Sequence, residues 1–376
     1  KYKVLFFMKS ILIIGENKGF NRCIPAIEEM YKWGEQNNIR VYSTYKEMNN
    51  FLYKLLNKFG IISLMEKVLL VNYDSVFYLA MNSKQITTLS LAKKLKKNII
   101  LDFYSHRLKI ATEDAKLDSK PISREKIKQL ETIDKKRLLL ASHLIVCNRN
   151  EIRDFYEWCN LKTPKGQKQY VIPLVIPKKS TLELDIYKEY KKQNYINIAW
   201  WGVASYLHGF DFLFSEFENI FAENPKVKLH IFEISKSRLD QIKKIAETNI
   251  SFKYLDRINF CSNLNMKNGL RDWLKNYCHL SIGPLGFTPQ GISSLANKVI
   301  ESWEMQIPVV TQKSKPISEL KIDHLVIPIT SQTKSNLSQA ILEFIKYFES
   351  NSSNIKKMIK NAYEYYELNH TPDAFK

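Results

Sequence analysis

What most constrains this chain is the order of its apolar runs: short stretches that read as buried strands alternate with longer amphipathic stretches, and the whole pattern occurs twice. Such alternation marks a parallel sheet covered by helices. In the first half the strands are expected at Lys3 to Phe7, Ile39 to Tyr42, Ser75 to Leu79, Asn98 to Phe103, His143 to Cys147 and Tyr170 to Ile172, with helices at Ile24 to Gln36, Thr87 to Lys96, Ser123 to Leu140 and Asn150 to Trp158. The polar run from Pro173 to Asn194, rich in lysine and holding Pro177, interrupts the alternation. It then restarts, with strands at Ile196 to Trp201, Val227 to Phe232, Ile250 to Leu255, Leu280 to Gly283, Pro308 to Thr311 and Leu325 to Pro328. The second set of helices is expected at Phe210 to Phe221, Lys236 to Glu247, Gly269 to Tyr277, Ser294 to Met305 and from Asn336 onward. The fold expected is α/β, with two doubly wound, Rossmann-like domains facing a central cleft. The domains are 1–178, a linker at 179–194, then 195–350, with a helical segment at 351–376 packing back toward the first domain.

A chain of 376 residues with 45% hydrophobic and 12% aromatic residues can fill two cores, which excludes a disordered or fibrous protein. Cys23, Cys147, Cys159, Cys261 and Cys278 lie far apart, with no metal-ligand spacing, and read as reduced thiols of a cytosolic protein. The longest apolar stretch, Phe51 to Val71, contains Lys54, Lys58, Glu66 and Lys67, which a bilayer centre would penalise. The 57 Lys and Arg against 38 Asp and Glu leave a net charge of +19, which favours a polyanionic partner: nucleic acid, anionic lipid or a phosphate-bearing substrate.

In an open parallel sheet, ligands bind outside the carboxyl ends of the strands. Two loops in the second half invite attention there. In the first, the strand ending Trp200-Trp201 runs into Gly202, Val203, His208 and Gly209 before a helix with Asp211 in its first turn. Glycines let backbone amides approach a phosphate, and a helix N-terminus favours its charge, although an ordinary turn capped by Asp211 would look the same. The second runs from Gly283 through Gly291, Ile292, Ser293 and Ser294 into a helix, where Ser293 or Ser294 is a natural N-cap. Ser294, Lys298 and Glu301 share one polar face of that helix, which reads equally as a solvated outer face.

These residues carry a resemblance. Gly202 to Asp211 resembles the Gly-x5-Lys-Gly-x-Asp turn of glycosyltransferase family 4, with His208 in place of the usual lysine. Ser293 to Val310 is similar to that family's donor helix and strand, "Glu-x7-Glu … Gly-x-Pro-Val-Val", with Glu301 as the second glutamate, Ser293 at the first, and Gln306 in place of the glycine. Leu138 to Cys147, Val171-Ile172-Pro173, and the strand from Leu101 that presents His106 extend the likeness over both halves. The resemblance implies a GT-B fold and a retaining glycosyltransferase that uses a UDP- or GDP-hexose. The acceptor implied is a polysaccharide, lipopolysaccharide or lipid-linked glycan. By the same resemblance Glu301 holds the donor ribose, and Gly202, Val203, Gly291, Ile292, Ser293 and Ser294 hold the diphosphate. Either Lys298, Arg257 or a neutral network does the work that Val203 and His208 do not, or the donor is bound differently. His106 and Ser293 join Glu301 as catalytic candidates, although a lone histidine after a strand is more often a structural residue, and Gly15 and Gly19 stand on the acceptor side. No cofactor is expected, and no metal, since no Asp-x-Asp turn follows a strand.

A catalytically inactive partner of the same fold and a nucleic-acid-binding protein are the rivals; the latter lacks any helix-turn-helix, zinc or aromatic RNA-binding motif. The apolar positions Phe51, Leu52, Leu55, Leu56, Phe59 and Ile62 recur at helical spacing beside Lys54, Lys58 and Lys67, with Lys93, Lys94, Lys96 and Lys97 further on. That pattern suits either a helix on the first sheet or one resting on an anionic membrane. The expected location is cytoplasmic, at the inner face of the cytoplasmic membrane.

Overall fold

Ser10–Ile14 are buried along their whole length, as expected of a central strand in a parallel sheet covered on both faces. The computed structural model of the protein describes residues 10–15, 23–44, 46, 50–79, 86–103, 106–117, 121–179, 194–350 and 352–373. The strand expected at Lys3 to Phe7 and the candidate Gly19 lie outside the described residues, as does most of the expected linker.

The first sheet comprises β1 (Ser10–Ile14), β2 (Arg40–Ser43), β3 (Ser75–Leu79), β4 (Asn98–Asp102), β5 (His143–Val146) and β6 (Lys168–Val171), in the order β2-β1-β3-β4-β5-β6. All pairs are parallel, with Ile11 beside both Val41 and Ser75. Its helices are α1 (Cys23–Gln36), α2 (Asn50–Lys58), α3 (Ile61–Leu69), α4 (Ile86–Lys94), α5 (Arg107–Leu117), α6 (Arg124–Leu140) and α7 (Arg149–Trp158). Ser123 caps α6 through the Lys126 amide, and Asn148 caps α7 through that of Glu151.

The second sheet comprises β7 (Ile196–Trp201), β8 (Val227–Phe232), β9 (Ile258–Cys261), β10 (Leu280–Ile282), β11 (Val309–Gln312) and β12 (Ile327–Ile329), in the order β12-β11-β10-β7-β8-β9, again all parallel. This is a doubly wound order whose direction reverses between β7 and β10, and ligands of such sheets bind where the order reverses. Its helices are α8 (Phe210–Glu223), α9 (Lys236–Asn249), α10 (Leu270–Tyr277), α11 (Pro289–Ser293), α12 (Asn297–Glu304), α13 (Lys315–Glu319), α14 (Asn336–Glu349) and α15 (Ser353–Asn369). Phe210, Phe214, Phe217 and Phe221 line one buried stripe of α8 and anchor the larger core. Buried Glu216, on the same helix, accepts from the Ser335 and Ser338 amides and so holds the N-terminus of α14.

The chain divides into two compact units, 1–110 with 122–175, and 111–121 with 176–376; the later part of α5 therefore belongs to the second. Within that unit α15 lies on α12, where Tyr365 and His370 pack against Trp303. Three sequence expectations change. Ile250 to Leu255 is no strand; Phe252–Arg257 forms a 3-10 turn, and the strand follows it at Ile258–Cys261. The helix expected at Ser294 to Met305 begins only at Asn297, and the expected loop before it holds a separate short helix, Pro289–Ser293, with Ser294 extended after it, so the N-caps are Thr288 and Ala296 rather than Ser293 or Ser294. The single helix expected from Asn336 onward is two, α14 and α15.

Candidate functional site

The buried strand β7 ends on Trp200 and Trp201 and enters the loop Gly202 to Ser205, a 3-10 turn at Tyr206–His208, and α8. Gly202 has φ 125°, which side chains rarely adopt, and a Cβ there would meet only Lys298 Cε at 3.9 Å. Gly209, φ 62°, crosses the loop after β10 so closely that a Cβ would stand 2.7 Å from the Leu285 carbonyl. The Gly286 amide donates to the Leu207 carbonyl at 2.9 Å, which ties the two loops together at the point where strand order reverses.

Lys298 enters this junction from α12. The residue is 6% exposed, its Nζ lies 3.9 Å above the Trp200 ring and 5.8 Å from that of Trp201, and among the described residues Nζ has no hydrogen-bond partner. Burial pushes its pKa well below the ordinary lysine range, against the pull of Glu301 and Glu233. A buried ammonium lacking an acceptor costs free energy, which favours the neutral amine unless an anion is present. Glu301, one turn along, accepts from Trp201 Nε1 at 2.9 Å; burial pushes its carboxyl up, and Trp201, Lys298 and Arg271 oppose that. The shared face of Lys298 and Glu301 is thus turned inward, not solvated.

Glu233, which follows β8, accepts from the amides of Ala204 and Ser235 and thereby fixes the loop beyond Gly202. The sequence reading passed over it, and its signal was a lone carboxylate after a strand, two residues before the Ser235 cap of α9. His208 packs edge-on against Trp200, with ring centroids 4.9 Å apart. Burial and the Lys298 charge hold it neutral, and a hydrogen bond to the Val203 backbone acts the other way. Val203 itself is exposed.

The amides expected to cradle a diphosphate are largely engaged. Gly202 donates to the Phe232 carbonyl at 3.1 Å, Gly291 to Thr288 Oγ1 at 3.1 Å, and Ile292 to the Thr288 carbonyl at 2.8 Å. The Gln290 amide donates to Glu113 of α5 at 3.2 Å, so a carboxylate already occupies the N-terminus of α11. Ser293 closes α11 and is buried, while Ser294 donates to the Gln290 carbonyl at 2.6 Å. The structure therefore brings Gly202, Val203, His208, Lys298 and Glu301 together, while three of the amides expected to take part are engaged within the chain.

Two candidates are corrected. Arg257 donates to the carbonyls of Phe221 and Asn224 and to that of Val227, the first residue of β8, and its guanidinium stacks 4.3 Å over Phe221. It clamps the amino end of the sheet, opposite the site. His106 is wholly buried in the first unit, where it caps α5: Nδ1 accepts from the Lys109 amide at 3.3 Å and Nε2 meets Cys159 Sγ at 3.2 Å. Burial, with Lys109 and Arg137, lowers its pKa to about 3, so it is a neutral structural ring packed against Trp158. Gly15 ends β1 against the Tyr78 ring, where the first sheet reverses order. Among the described residues no group of three or more His, Cys, Asp or Glu is placed to hold a metal ion.

No family model matches the sequence, and no curated protein is similar to it. Solved structures are. HepE of Anabaena, in complex with UDP and glucose, matches with a TM-score of 0.61 at 14% identity over 98% of this chain and 97% of that one. The sucrose-phosphate synthase of Thermosynechococcus elongatus matches with 0.61 at 14% identity over 90% and 80%. The UDP-forming α,α-trehalose-phosphate synthase of Burkholderia vietnamiensis matches with 0.60 at 11% identity over 98% of each chain. The fold is that of the GT-B glycosyltransferases.

Proposed function

We propose that the protein is a glycosyltransferase that takes a hexose from a UDP- or GDP-sugar and transfers it, with retention of configuration, to a polysaccharide, lipopolysaccharide or lipid-linked acceptor at the inner face of the cytoplasmic membrane. The observation that carries the reading is Lys298 Nζ, buried without a hydrogen-bond acceptor among the described residues at the carboxyl end of β7, where the strand order reverses. A departing nucleoside diphosphate is the charge such a donor suits, because prearranged donors in a dry site stabilise developing anions far better than water does. Glu301 holds the ribose hydroxyls and Glu233 holds the loop. Lys298 neutralises the diphosphate, so no metal is required. That solved structures of this fold were obtained with UDP and UDP-glucose supports a UDP-linked donor.

Thermal unfolding against a panel of nucleotide sugars tests the reading, since a ligand of the native state raises its apparent stability. The expected result is stabilisation by one nucleotide sugar and its nucleoside diphosphate, followed by turnover whose product keeps the donor's anomeric configuration by NMR. Stabilisation by none of them would reduce the chain to an inactive relative of the fold.

A further inference from the structure

We infer that α2 and α3 form a docking face for an anionic lipid surface. The argument starts from an inversion in α3. Its inner side is made by Ile62, Ser63, Glu66 and Leu70, all buried, so the helix turns its one carboxylate toward the protein. Its outer side carries Ile61, Leu64, Val68 and, just beyond its end, Val71, with Leu64 62% and Val68 66% exposed. A helix on a sheet ordinarily does the reverse. The preceding helix, which packs against α3 across Gly60, exposes Phe51, Leu52, Leu55 and Phe59, with Phe51 76% and Phe59 68% exposed. Large side chains exposed singly are common, but two consecutive helices with outward apolar faces form a patch that needs a partner.

Charge identifies the partner. On α2, Lys54 and Lys58 border the apolar stripe, and Lys67 borders that of α3; Glu66, the only acid between Phe51 and Val71, faces inward. At the far end of the patch Arg40 donates to the Asn72 carbonyl at 2.5 Å and Lys97 to that of Val71 at 3.3 Å, beside exposed Lys93, Lys94 and Lys96. An apolar face rimmed by cations matches a bilayer interface, with acyl chains beneath and anionic head groups at the rim. A second copy of this chain would set the same cations against one another. Among the described residues no helix is long and apolar enough to cross a membrane, so the contact is a surface one.

Vesicle cosedimentation of the full chain tests this, with phosphatidylcholine alone and with phosphatidylcholine containing phosphatidylglycerol. The expected result is binding to the anionic vesicles only. Lys54→Glu with Lys58→Glu weakens it about tenfold or more. Leu64→Ser with Val68→Ser weakens it comparably at unchanged charge, while thermal stabilisation by UDP stays as in the parent. Because these side chains are exposed, the variants keep the fold, and circular dichroism verifies that. Binding to neither vesicle type, or anionic binding that survives the serine pair, would overturn the inference, the latter because net charge alone would then account for it. A dimer in solution that the serine pair dissociates would overturn it in favour of self-association. UDP stabilisation reports separately on the transferase reading.

Discussion

The indole Nε1 of Trp201 donates to a carboxylate oxygen of Glu301 at 2.9 Å, linking the last residue of β7 to the middle of α12. That bond orients the carboxyl and opposes the upward push of burial on its pKa. Glu301→Ala is expected to raise the donor KM and to lower kcat/KM by about 30- to 300-fold, or roughly 2–3.4 kcal/mol. Steady-state kinetics with the donor found by thermal screening measures it. Parent-like constants in a folded variant would remove Glu301 from the donor site.

His106 caps α5 and fills the space between Phe103, Phe155 and Trp158. His106→Ala is expected to cost about 2–4 kcal/mol of stability, from the cavity and the lost cap. Turnover per folded molecule stays near the parent value. Denaturant unfolding and kinetics on the same sample separate the two, and a stable variant with abolished turnover would return His106 to the chemistry.

Arg257 donates to the carbonyls of Phe221, Asn224 and Val227, from the last turn of α8 to the first residue of β8. Arg257→Met is expected to lower stability by about 1.5–3 kcal/mol and to leave the dissociation constant for UDP unchanged. Calorimetry with UDP at a temperature where the variant is folded checks it.

The parts of this structure that sequence displays are those decided locally. The runs Val76 to Leu79 in β3, Ile99 to Leu101 in β4 and Ile198 to Trp201 in β7 are uninterrupted and apolar, of a kind that a sheet covered on both faces uses. By contrast β9 is four residues with polar Asn259 inside, and the more apolar run before it turns instead of extending, held by Arg257 over Phe221 and Tyr254. α5 was not foreseen because its polar and apolar residues are scattered around the helix. In the site, spacing alone puts Lys298 and Glu301 on one face of a helix, but periodicity does not say which face is inward. Trp200, Glu233 and Lys298 become neighbours through the strand order β10-β7-β8, which chain order does not contain.

If Lys298 and not a bound cation neutralises the diphosphate, as proposed, turnover persists in excess chelator. Complete loss that manganese restores would move the neutralising charge to a metal ion.

The central claim is that the Lys298 ammonium receives the nucleoside diphosphate. Burial lowers its pKa, so in the free protein a fraction of Lys298 is neutral over the interval below the ordinary lysine range. The unfolded chain is protonated there, so the free protein gains stability as pH rises through that interval. A bound diphosphate favours the charged form, so UDP binds with uptake of a proton, and its affinity falls as pH rises. Titration calorimetry with UDP, in buffers of different ionisation enthalpy, measures this directly. The account predicts net proton uptake by the parent, and in Lys298→Met no uptake and affinity weaker by about 10- to 150-fold, the loss of one charged hydrogen bond or ~1.5–3 kcal/mol. Equal affinity in the two proteins, or binding by the parent without proton uptake, would contradict it.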